Sequence, residues 1–113
     1  RYAAERAMLD AGVRYVLHSD AGVRETPFGA FWLILAAACY ELRIAPLEAI
    51  RAVTETAAAL LGIADEVGTL APGKLADLVV VAGNPGERIE SLAAPLLVFR
   101  GGRVVARRGA ILA

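Results

Sequence analysis

The sequence is short of the residues from which self-contained catalytic sites are built. It holds one cysteine and one histidine in 113 residues. A single cysteine excludes an internal disulfide framework and any cysteine-based zinc knuckle. Cys39 sits in Ala36-Ala37-Ala38-Cys39-Tyr40 with no histidine or basic side chain in its helix, the setting of a small hydrophobe rather than of an activated thiol. An excess of charge of either sign is also missing, because 12 Lys and Arg balance 12 Asp and Glu. That leaves no electrostatic footprint for nucleic acid or for an anionic membrane. The nearest basic group, Arg100, Arg103, Arg107 and Arg108, is spread over an apparent hairpin and reads as a solvated edge. The uncharged apolar run from Phe28 to Tyr40 has 13 residues, short of the roughly 20 that span a bilayer, so a buried helix is expected and no transmembrane segment. There is no initiator Met: Arg1 falls inside a helical pattern, which is read as a truncated start.

What is present is apolar. The composition is 58% hydrophobic and 21% charged, rich for a chain that must cover its own surface, and it suggests faces meant for partners, a homo-oligomer among them. Ala3 to Ala11 reads as a helix stopped by Gly12. Val13-Arg14-Tyr15-Val16-Leu17-His18 reads as a strand, ending at Ser19-Asp20-Ala21-Gly22. A loop at 23–27 closes at Pro27, and a nearly all-apolar helix is expected over 28–42. Ala45-Pro46 opens another helix that keeps one side apolar as far as Leu61, with Gly62 as its C-cap. Beyond residue 62 the character changes to short strands and turns. Val67 to Leu70 is extended, Ala71-Pro72-Gly73-Lys74 is a turn, and Ala76 to Ala82 is a strand. Residues 89–93 make one or two helical turns, and a hairpin at 96–99 and 103–106 closes about Gly101-Gly102. Two domains follow from this shift, 1–62 and 63–113.

The one stretch suited to chemistry is His18-Ser19-Asp20. In α/β folds ligands sit beyond the C-terminal ends of strands. If strand geometry persists to its end, His18 and Asp20 project to one side, and carboxylate oxygen and imidazole nitrogen are ordinary ligands of zinc and related ions. Two alternatives stand beside this. Asp20 can cap its own turn through a side-chain oxygen, and His18 can be a half-buried or orienting group. Two residues are also too few for a metal site, which needs three or four protein ligands. The turns at Gly83-Asn84-Pro85-Gly86 and Gly101-Gly102 lack the pattern of a phosphate loop. Glu41, Glu48 and Glu55 read as solvated helix edges, and Thr54 and Thr56 as surface or backbone-bonding hydroxyls.

Three stretches together resemble the end of the amidohydrolase superfamily, in its imidazolonepropionase-like and Xaa-Pro-dipeptidase-like branch. They are Leu17-His18-Ser19-Asp20-Ala21-Gly22, then Ala45 to Thr54 continuing into Ala59-Leu60-Leu61-Gly62-Ile63, and finally Val67 to Val81 with Gly83-Asn84-Pro85. The closing Val98 to Val105 follows in the family's order. The resemblance implies an α/β fold: the last strand (13–20) and closing helices (28–61) of a (β/α)8 TIM barrel, then the C-terminal strands (63–113) of a small composite β-sandwich. It implies a metal-dependent hydrolase of carbon–nitrogen bonds, cytoplasmic, acting on a small amide, cyclic amide or Xaa-Pro dipeptide. Its cofactor would be one or two divalent metal ions, zinc by expectation. Asp20 maps onto the aspartate that binds metal and accepts the proton of the attacking water. His18 has no fixed role in the family and stands as a neighbouring group or substrate contact. The histidines and bridging residue that complete such a site are not in this sequence, so the chain alone is expected to be inactive. Phe28 departs from a common pattern, standing where many related sequences place His before the glycine that matches Gly29. Asp77 belongs to the sandwich motif and is expected to order the turn after Lys74. The rival class is a non-catalytic piece that docks to a partner through its apolar helices.

Overall fold

A computed structural model describes residues 2–23 and 27–112. The first half is helical. Helix α1, Ala3–Asp10, ends where expected, with Gly12 in the left-handed region at φ 76° and the Val13 amide bonded back to the Met8 carbonyl at 3.1 Å. Arg6 ties this helix to the next by donating to the Leu42 carbonyl at 2.6 Å.

Residues 13–20 form no strand. The correction has a plain cause: a parallel strand of a barrel is held by ladders on both sides, and none of the described strands lies alongside this stretch. Tyr15, Val16 and Leu17 are all half-buried, Tyr15 and Leu17 packing against the helical core, and burial alternates only from Leu17 onward, with His18 exposed, Ser19 half-buried and Asp20 exposed.

The apolar helix is shorter than its sequence suggested. The loop expected at 23–27 lies in part outside the described residues; after it, the Ala30 amide bonds to the Pro27 carbonyl at 3.4 Å, so Phe28-Gly29 occupy the middle of a turn. Helix α2 therefore runs Trp32–Glu41. Arg43 takes the left-handed position after it, at φ 54°, which lets the Ile44 amide reach the Ala38 carbonyl at 3.3 Å and buries the Ile44 side chain. The next expected helix is two: α3, Pro46–Val53, and α4, Glu55–Leu60. Thr54 breaks them, with φ −121° and ψ −90° and its hydroxyl donating to the Ile50 carbonyl at 2.7 Å. A β-branched residue that bonds its own helix in this way competes with the backbone ladder. Gly62 then caps α4 at φ 73°.

Val67 to Leu70 is not extended but bent. Gly68, at φ 96°, lies so close to α4 that a Cβ there would stand 2.6 Å from the Ala58 Cβ. The turn at 71–74 forms as read, with the Lys74 amide on the Ala71 carbonyl at 3.3 Å. The Lys74 ammonium donates to the Ala64 carbonyl and to the Thr69 hydroxyl, both at 2.6 Å, and so closes the loop before it.

The rest is an antiparallel meander, β1 (Leu78–Val80), β2 (Leu97–Arg100), β3 (Arg103–Arg107) and β4 (Ala110–Ile111), each strand beside its neighbour in sequence. Gly101 and Gly102, at φ 55° and 78°, make the tight hairpin turn between β2 and β3. The expected helical turns at 89–93 form a 3-10 helix, η1, Ile89–Ala93. Its Ile89 is buried with Leu35, Ala36, Ala38, Ile44 and Ala49, so this segment docks into the helical core rather than onto the sheet. Fold and sequence reading agree on an α/β architecture: helices first, then an open antiparallel sheet. Among the described residues no helix is long and apolar enough to cross a membrane.

Candidate functional site

Asp20 stands at the head of a turn. Its backbone is left-handed, φ 49°, and its carbonyl accepts the Val23 amide at 3.1 Å. An L-residue in this region costs about 1–2 kcal/mol, least for Asp and Asn, so the position is one that suits an aspartate. The capping that the sequence allowed for Asp20 is done by its neighbour: the Ala21 amide donates to Ser19 Oγ at 3.2 Å. The Asp20 carboxylate is left exposed, with no hydrogen bond to a described residue.

His18 is exposed as well, but the strand geometry that would set it on the same side as Asp20 does not persist, since the Asp20 backbone is left-handed. No third group joins them: among the described residues no cluster of three or more His, Cys, Asp or Glu side chains could hold a metal ion. Among the described residues the stretch offers two donor side chains, Asp20 and His18, fewer than the three or four protein ligands that a metal site needs.

Other titratable groups do not supply the missing chemistry. Burial, with the Glu90 charge next, pushes the Cys39 thiol above its ordinary range, which makes it a poorer nucleophile. Burial likewise raises the Tyr15 phenol, with Glu48 and Cys39 adding to it, so Tyr15 serves as a neutral anchor under the Asp20 stretch. Two open clefts lie elsewhere. One, about 420 Å³, is bounded by Cys39, Tyr40, Glu87 and Ile89; the other, about 600 Å³, by Tyr2, Arg6, Asp10 and Arg43. Neither includes His18 or Asp20.

Asp77 does not order the turn after Lys74. Its Oδ1 accepts the Gly101 amide at 2.6 Å, locking the β2–β3 hairpin turn from 24 residues away. The basic group on that hairpin is divided. Pairing shifts register between Val98 and Phe99, leaving Val105 without a partner in β2, so Arg103 and Arg107 fall on opposite faces of the sheet. A solvated edge is the reading that survives.

The described residues thus set an exposed carboxylate at a turn, followed by helices and an antiparallel meander. Residues 1–105 match the amidohydrolase family, and the chain belongs to it. It is 42% identical over 83 residues to an imidazolonepropionase from Chloroflexus aggregans, covering 74% of this chain and 19% of that protein. To an imidazolonepropionase from Streptococcus pyogenes it is 33% identical over 114 residues, covering 98% of this chain and 27% of that protein. The fold matches a Xaa-Pro dipeptidase crystallised with bound methionine (TM-score 0.81, 34% identity, 89% of this chain and 24% of that one). It also matches an amidohydrolase from Thermotoga maritima (TM-score 0.74, 30% identity, 92% and 26%). The chain therefore spans about a quarter of the length of these proteins or less.

Proposed function

We propose that this chain is the closing segment of a metal-dependent hydrolase of carbon–nitrogen bonds, and that Asp20 is its catalytic carboxylate. The observation that carries the reading is Asp20 itself: exposed, without a side-chain hydrogen bond among the described residues, and set at the end of a strand-like stretch within the family match. Residues 1–62 then complete a barrel, and residues 63–113 form their share of a second, β-rich domain. A divalent ion held there, zinc being suited to carboxylate and imidazole donors, would supply a water ionised near neutral pH. Asp20 would help hold that ion and accept a proton, and His18, exposed two residues before it, would orient the site or touch substrate. The names of the relatives point to an imidazolone or a Xaa-Pro dipeptide as the kind of substrate. Taken alone, the 113 residues supply too few ligands to act, and they serve as a structural piece.

The test uses the full-length protein that carries this chain. Its remaining sequence is expected to hold a His-x-His pair and further strand-end histidines. Asp20→Asn should lower kcat by roughly 10²–10⁴-fold, the range of a lost general base, with an unchanged melting profile. Near-normal turnover in that variant overturns the role given to Asp20.

A further inference from the structure

The connection from β1 to β2 leaves the sheet and comes back to it. Its ends are pinned together, the Leu96 amide bonding to the Val80 carbonyl at 2.8 Å. Between them Asn84 builds a tight turn. Its side-chain oxygen accepts the Gly86 amide at 3.0 Å, its side-chain amide donates to Glu87 at 3.0 Å, and its carbonyl accepts the Glu87 and Arg88 amides. Gly83 lies close enough to η1 that a Cβ on it would stand 3.3 Å from Ser91 Oγ. A connection tied at so many points presents η1 as a stiff piece, and Ile89 at its start is 2% exposed. It shares one cluster with Leu35 and Ala38 of α2, Ile44, and Ala49 of α3, all of this chain, so its burial calls on no other segment. The Tyr40 hydroxyl of α2, donating to the Glu90 carboxylate, ties the same contact from outside.

Tyr15 and Leu17 pack against this cluster as well, and so does Leu92 of η1. Leu17 stands three residues before Asp20. One apolar seat therefore holds a piece of the sheet and the stretch that ends in the carboxylate. Much of that seat is alanine, whose methyl cannot swing to close a gap. A void at Ile89 is relieved by the longer side chains around the cluster, Tyr15 and Leu17 among them. Resting on the function proposed above, we infer that the β1–β2 connection is a strap by which the sheet fixes the seat of Asp20, with Ile89 as a positioning residue. Ile89 touches neither ion nor substrate. Its loss leaves substrate binding in place and costs turnover, because small misplacements of a reacting group are expensive.

Hydrogen exchange in the metal-free, full-length protein reads the seat through peptides covering residues 13–20. Variants are compared at urea concentrations that give equal global stability, so that a general loosening cancels. Ile89→Ala should quicken exchange there about tenfold, and Ile89→Val by about threefold at most. Val98→Ala in β2 should leave it within about twofold. Leu92→Ala, half-buried on the same core, should act in the same direction and carries the test if Ile89→Ala does not fold. In the metal-loaded protein, with imidazolone propionate and L-alanyl-L-proline as trial substrates, Ile89→Ala should lower kcat by roughly 10–10²-fold with KM nearly unchanged, and Ile89→Val should restore most of it. Exchange at 13–20 indifferent to Ile89 and Leu92, or quickened equally by Val98→Ala, overturns the strap. An unchanged kcat in Ile89→Ala overturns the positioning role. Turnover of neither substrate by the parent, with exchange that tracks Ile89, refutes the hydrolase and keeps the strap.

Discussion

A Cβ at position 68 would stand 2.6 Å from the Ala58 Cβ and 3.1 Å from the Thr54 carbonyl oxygen, on a backbone already at φ 96°. Both neighbours belong to α4 or its cap, so neither can swing aside. Left-handed strain and overpacking act together, and Gly68→Ala should destabilise the full-length protein by roughly 2–4 kcal/mol, read as a lower urea midpoint. At this scale the sequence was legible where chemistry is local. Asp20 reads as the polar end of an apolar run, and a turn begins at it, although the capping oxygen belongs to Ser19. Asp77 was not legible, since its partner is an amide 24 residues away and nothing in the turn beside it signals the hairpin. Nor did any local pattern mark the seating of Phe28 on Gly22, which depends on two turns meeting.

Among the elements, caps and tight turns were the readable parts. Gly12, Gly62 and Gly101-Gly102 all take the left-handed conformations that their positions called for. Two elements were misread for tertiary reasons. Residues 13–18 have the composition of a strand but no partner strand among the described residues, and the helix after Pro46 is interrupted by one threonine hydroxyl. How α2 is held to η1 also lay beyond sequence. There the Tyr40 hydroxyl donates to the Glu90 carboxylate, and this bond, ahead of desolvation, holds the phenol above its ordinary range and the carboxyl below it. For Glu90, depressed in the fold, the contribution is present above the unfolded pKa and is lost as pH falls through the lower folded value, below about pH 4. For Tyr40, raised in the fold, it is present below the unfolded pKa and is lost as pH rises through the higher folded value, beyond about pH 10. Amide exchange at Ile89 should therefore quicken at both extremes relative to Tyr40→Phe, and match that variant's acid and alkaline behaviour once the bond is gone. An Ile89 amide indifferent to Tyr40→Phe at every pH would show that the bond does not hold this contact.

Taken whole, the chain exposes 8245 Å², where a compact monomer of 11.8 kDa exposes roughly 5,900 Å². Its radius of gyration is 14.8 Å, against about 13 Å for a compact domain of this length. The core is thin: among the described residues eight hydrophobic ones are buried, five of them alanines, and no residue of the four strands is fully buried. Phe28, Leu70 and Ile111 are almost wholly open, and Leu60 and Leu61 largely so. Excess apolar surface was the feature most legible in the composition, and the area deficit bears it out. Purified alone, the 113 residues should sediment as oligomers or aggregates and bind a divalent ion only weakly. A stable monomer with one tight stoichiometric ion would contradict both the area argument and the incomplete site. The order of the sheet carries a consequence of another kind. Each strand bonds only to its neighbour along the chain, so residues 78–111 close through short loops, which is the quick kind of folding. The stretch bearing Asp20 has no such neighbour among the described residues. In the function proposed above, strands distant in sequence complete its ladders, so there the meander is finished while the carboxylate still waits for its place, and activity comes at the slower of two folding clocks.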